Sequence, residues 1–91
     1  MKIGTIKGRH EMPVTEYFFD KEITDVFDFD FLTKHIHKRI EELNIKEVEL
    51  YVTGLTIVTV SVMNVCRAMD IPITLFHYDR ETAQYREQIV I

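Results

Sequence analysis

A chain of 91 residues that is 46% hydrophobic and 29% charged has the size of one domain and the composition of a globular one. A net charge of −4 argues against duplex DNA or RNA as a partner, because such binding rests on many Lys and Arg contacts to phosphate. A small anionic ligand needs only two or three local donors and stays open. The single cysteine, Cys66, rules out an internal disulfide and sits in an apolar run, as a buried, inert thiol would. The stretch from Leu55 to Val65 is broken by Thr56, Thr59, Ser61 and Asn64 and is too short to span a bilayer. Met1 to Gly4 lacks a signal-peptide core. These features predict a cytoplasmic protein. Six Phe and four Tyr are more than one small core needs, since a domain this size buries only about two thirds of its unfolded surface. The excess predicts a homodimer or larger homo-oligomer.

In chain order, residues 2–7 alternate weakly and end in the polar turn Gly8, Arg9, His10, Glu11. Pro13 leads into a β-branched and aromatic run over residues 14–19. Two short strands joined by a loop are expected, paired antiparallel, because a short loop cannot make a parallel crossover. Residues 20–30 are acidic, with Asp28 or Asp30 suited to cap a helix over residues 31–43. Leu32, Ile36, Ile40 and Leu43 give that helix one apolar face, Lys34, Lys38, Glu41 and Glu42 its wet side, and Asn44 its stop.

Residues 46–52 read as a strand with Val48, Leu50 and Val52 on one face. Residues 57–69 admit two readings. Their β-branched first half suits the return strand of a hairpin. The helix-prone second half, and a mildly polar stripe of Thr56, Thr59, Met63, Arg67 and Asp70 at helical spacing, favour a helix. Residues 71–78 form a strand that Pro72 can begin, residues 79–82 a turn, and residues 83–91 a last strand. The expected fold class is therefore α/β: a small Rossmann-like mixed sheet in the order ββαβαββ, with one right-handed βαβ unit over residues 46–78 and antiparallel edges.

The most informative segment is Thr53, Gly54, Leu55, Thr56, a strand end that turns through glycine into a helix. Open α/β sheets place ligands beyond the carboxyl ends of their parallel strands. Free N–H groups at a helix start favour an anion, and threonine hydroxyls add donors. The plainer alternative is that Gly54 only makes the turn and Thr56 only caps the helix. Arg9 and His10 can supply cationic donors from the first loop, or form an ordinary solvated turn. Tyr78 and Asp79, beside His77 and Arg80, end the second parallel strand on the same sheet edge. Tyr78 can stack on a base and Asp79 can accept from a ribose or base, or the group can simply shape a hairpin. His35 and His37, two apart on a helix, have no metal-ligand spacing. The acidic residues from Asp20 to Asp30 read as a turn with helix caps. No catalytic triad or carboxylate pair is visible, and neither a metal nor a cofactor is expected.

On these residues, the stretch from Glu49 to Asp79 resembles the later half of a CARF domain, the Rossmann-like sensor of CRISPR-associated proteins. Thr53, Gly54 and Thr56 match that family's Thr-Gly-Gly-Thr-Lys turn, whereas Leu55 replaces its second glycine and Ile57 its lysine. The resemblance covers about a third of the chain, and no effector nuclease is attached. It implies a domain that binds or sequesters a cyclic oligonucleotide immune signal, as a small sensor or a phage anti-defence protein would. A ring nuclease on the same scaffold is the alternative, with His10 or His77 as acid or base for attack by the ligand's own 2′-hydroxyl. A structural module with no small ligand is the third reading.

Overall fold

Strand alternation and helical periodicity divide the apolar residues between two faces of one sheet. The computed structural model describes residues 1–90 and contains, in order, β1 (Lys2–Ile6), β2 (Tyr17–Phe19), α1 (Phe29–Glu42), β3 (Val48–Tyr51), α2 (Thr56–Ala68), β4 (Ile73–Asp79) and β5 (Gln84–Ile89). The sheet order is β2-β1-β3-β4-β5. Strands β1 to β4 run parallel, and β5 pairs antiparallel with β4. The fold is thus the expected Rossmann-like α/β fold with a mixed, mostly parallel sheet. The helical reading of residues 57–69 holds. The expected last residue of β5, Ile91, lies outside the described residues.

The antiparallel pairing expected of the first two strands is not what forms. Strand β2 lies parallel to β1, with Gly4 opposite Tyr17 and Ile6 opposite Phe19. The physical reason lies in residues 7–16. They do not fold back as a hairpin turn but cross the sheet, carrying Met12 and Val14 onto the face away from the helices. There Met12, Tyr17 and Tyr51, all buried, pack with Val14, Phe76 and Tyr85. An irregular segment with buried anchors thereby does what a crossover helix does in other parallel sheets. Gly4 permits the close approach. A Cβ there would sit 2.6 Å from Tyr17 Cδ1 and 2.9 Å from Met12 Cε.

Both helices cover the opposite face. Leu32, Ile36 and Ile40 of α1 and Val58, Val62, Val65 and Cys66 of α2 share one core with Ile3, Val48, Leu50, Ile73 and Leu75 of the sheet. Burial pushes the Cys66 thiol up to about 11, which suits an inert core residue. Helix α1 starts two residues before the expected Phe31 because Asp28 caps it, accepting from the Phe31 N–H at 3.1 Å. Both helices end alike. Asn44 (φ 51°) and Asp70 (φ 56°) adopt the left-handed conformation. The Ile45 N–H then bonds Ile40 O at 3.0 Å, and the Ile71 N–H bonds Cys66 O at 2.8 Å, closing each last turn. One member of the expected polar stripe on α2 is misplaced. Thr59 is buried, and its Oγ1 has no hydrogen-bond partner among the described residues.

Candidate functional site

The order of the sheet reverses at β1. The chain leaves β1 for β2 on one side, and after α1 it enters β3 on the other side. The segments that follow β1 and β3 therefore diverge at the carboxyl edge and leave a crevice, the position at which open α/β sheets hold ligands. A cavity of about 540 Å³ opens there, lined by His10, Glu11, Val52, Thr53, Gly54, His77, Tyr78, Arg80 and Tyr85. This volume is within the range of small-molecule clefts. A second depression, lined by residues 7–14 and Tyr17, adjoins it through the shared His10 and Glu11.

The structure brings six of the residues singled out in the sequence to this crevice: His10, Thr53, Gly54, His77, Tyr78 and Arg80. Thr53 is 4% exposed, and its Oγ1 lies 2.7 Å from Oγ1 of Thr5, which is fully buried in β1. Two hydroxyls joined by one hydrogen bond use one of their two protons. With Thr5 sealed and Thr53 in the crevice wall, the remaining proton is best placed on Thr53, where a ligand acceptor can take it. Gly54 has an ordinary backbone conformation, and a Cβ there would meet nothing within 4 Å. Neither turn geometry nor packing requires glycine at this position, so the reading of Gly54 as a turn-maker loses its support.

Leu55 and Thr56 stand at the start of α2 beside the crevice and do not line it. Leu55, not Thr56, is the N-cap, and no side chain bonds the first-turn N–H groups. The first turn also carries no acidic residue, so nothing within it opposes the positive end of this helix. The expectation that Thr56 caps the helix is corrected accordingly: Thr56 is already the first helical residue, too far along to accept from the N–H groups ahead of it.

Arg9 and Asp79 are engaged elsewhere. Arg9 donates to Glu22 at 3.0 Å. Asp79 accepts from Arg86 Nε at 2.7 Å and from the Glu81 N–H at 3.0 Å. These bonds, the Arg86 one foremost, hold its carboxyl below the usual carboxylate range. Arg80 and His77, expected on the same sheet edge, do line the crevice. His77 Nε2 lies 2.8 Å from Gln88 Oε1. Tyr85 reaches the crevice from β5 and was missed; its one signal is alternation along that strand. It lies edge-on to Tyr51 at 4.8 Å and to Tyr78 at 5.3 Å. Burial, followed by the neighbouring Tyr51, Tyr78 and Tyr17, pushes its phenol up. The crevice thus combines Arg80, His10, His77 and Thr53 with the rings of Tyr78 and Tyr85, and Glu11 is its carboxylate.

Comparison with family models, curated proteins and solved structures finds no match to this chain. No helix among the described residues is long and apolar enough to cross a membrane.

Proposed function

We propose that the domain binds an anionic nucleotide in the crevice between the segments that follow β1 and β3. The observation that carries this reading is the convergence of Arg80, His10 and the half-exposed ring of Tyr78 in one crevice at the carboxyl edge, with the uncapped start of α2 directly after its Thr53–Gly54 wall. A phosphate suits the helix start and the guanidinium, and a base can stack on Tyr78. Gly54 leaves space for the ligand to approach the backbone. The cyclic oligonucleotide implied by the sequence resemblance is the candidate ligand. It is larger than one crevice of about 540 Å³, so binding it would use the adjoining depression or a second copy of the chain closing over it. A homodimer belongs to this reading.

The test is calorimetric titration with a mononucleotide, a cyclic dinucleotide and cyclic oligoadenylates, followed by chromatography of the recovered ligand. Light scattering runs with and without ligand. Saturable binding with intact recovery supports a binding or sequestering domain. Recovery of linear products would convert the reading to a ring nuclease, for which His10 and His77 in the same crevice are the available acid and base. No binding of any nucleotide at millimolar concentration overturns the proposal.

A further inference from the structure

A different pocket lies at the far end of the same sheet edge, after β2. It has a volume of about 410 Å³ and is lined by residues 19–25 with Asp28, Phe31 and His35. Its apolar side is three rings. Phe19 and His35 stack at 4.5 Å, and Phe31 tilts against them at 5.7 Å from His35 and 6.4 Å from Phe19. His35 is fixed by its Nε2, 2.7 Å from Phe18 O. The carboxylates of Asp20, Glu22, Asp25 and Asp28 line the same pocket, with Lys21 as its one lysine. Glu22 is neutralised by Arg9. Asp25 and Asp28 each use one oxygen on a local N–H, at 3.0 Å and 3.1 Å, and each keeps the other. The site therefore keeps excess negative charge.

The surface continues beyond the pocket. Phe27 is 70% exposed, Phe29 56% and Phe31 48%, and the three alternate with Asp28 and Asp30. Phe27 and Phe29 meet edge-on at 6.5 Å and form an exposed apolar patch beside the pocket, whose ring stack takes Phe31; together they offer more apolar surface than a ligand of pocket size would cover. Charge complementarity selects the occupant. A symmetric pairing of two copies through this patch would set each acidic surface against itself. Membranes and nucleic acids carry the same negative sign. Among the described residues, no group of three His, Cys, Asp or Glu side chains converges closely enough to hold a metal ion.

We propose that this surface docks a basic segment of a partner protein, with one arginine side chain seated in the pocket over Phe31 and His35. A planar guanidinium stacks on rings and forks onto carboxylates, which an ammonium does not do. The exposed phenylalanines take the apolar side chains that flank the arginine.

The test is an NMR titration of the ¹⁵N-labelled protein with an acetylated, amidated hexa-arginine peptide, with hexalysine and hexaglutamate peptides as comparisons. The expected result is saturating shifts confined to residues 19–35, at least fivefold tighter for arginine than for lysine and absent with glutamate. Phe31→Ala should weaken arginine binding at least fivefold, and Asp20→Asn combined with Asp25→Asn should weaken it further, both at an unchanged melting temperature. The proposal is overturned if shifts do not saturate, if they spread over all surface carboxylates, or if Phe31→Ala binds as wild type. It is equally overturned if sedimentation shows that Phe31→Ala dissolves a dimer, since a second copy would then own the surface. None of these outcomes depends on whether the crevice binds a nucleotide.

Discussion

The two helices begin at the same edge of the sheet and treat their first turns in opposite ways. At α1 the chain supplies its own anions: Asp28 caps the helix and Asp30 sits in the first turn. At α2 the cap is Leu55, without a side-chain bond, and no acid follows. Both starts have N–H groups to satisfy and the same positive pole. One end is therefore closed and acidic, the other open and electropositive. If both proposals hold, a single fold edge sorts ligands by sign, with cations near β2 and anions between β1 and β3. A helix start that is left uncapped gives up about 1 kcal/mol of stability, which is consistent with a site kept for something other than folding.

The contrast can be broken by substitution. The largest effect on stability is expected at the crevice wall. Thr53→Val strands the buried Thr5 hydroxyl and should cost about 1–3 kcal/mol, whereas Thr5→Val with Thr53→Val together should come close to wild type. Denaturant titration of the three variants checks this, and a costly double variant would show that the pair has other work. Next is the difference between the helix starts. Asp28→Ala should cost about 1 kcal/mol, while Thr56→Val should stay within about 0.5 kcal/mol of wild type, because Thr56 is not a cap. Equal losses in melting experiments would erase the contrast.

The smallest effect concerns Asp79. Its folded-state carboxyl is held below its ordinary value, so its contribution to stability is complete above the unfolded-state value and disappears as pH falls through the depressed one. Asp79→Asn should therefore lower stability slightly at neutral pH and flatten the acid limb, so that variant and wild type converge at low pH. A change in nucleotide affinity at neutral pH would return Asp79 to the ligand site.

Much of the scaffold was legible in the sequence. Apolar spacing from Leu32 to Leu43 gave α1, and the order from Lys46 to Tyr78 gave the parallel pair around α2, because those patterns are local and periodic. The pairing of β1 with β2 was not legible. It depends on Met12 being buried against Tyr17 and Tyr51 on a sheet face, a contact that reaches across β1 from β2 to β3 and leaves no periodic trace in a loop. The crevice was half legible. Thr53, Gly54, His77, Tyr78 and Arg80 follow or end β3 and β4, His10 lies in the segment after β1, and topology alone brings such ends together. Arg9 and Asp79 have the right chemistry in the right loops, and only their partners Glu22 and Arg86 show that they are occupied. Sequence proximity nominates donors, and competition among side chains decides which of them stay available.

The central claim, that the open start of α2 faces an anionic ligand, is tested most directly by comparing Gly54→Ala with Gly54→Asp. A Cβ at position 54 meets nothing within 4 Å and the residue is exposed, so neither variant should lower the melting temperature; Ala can raise stability by about 0.4–1 kcal/mol. Calorimetric affinity for the tightest nucleotide of the panel is the readout. The account predicts that Gly54→Asp weakens binding at least tenfold, with the loss shrinking as salt is raised, while Gly54→Ala changes it less than threefold. Equal affinities for wild type and Gly54→Asp would contradict it.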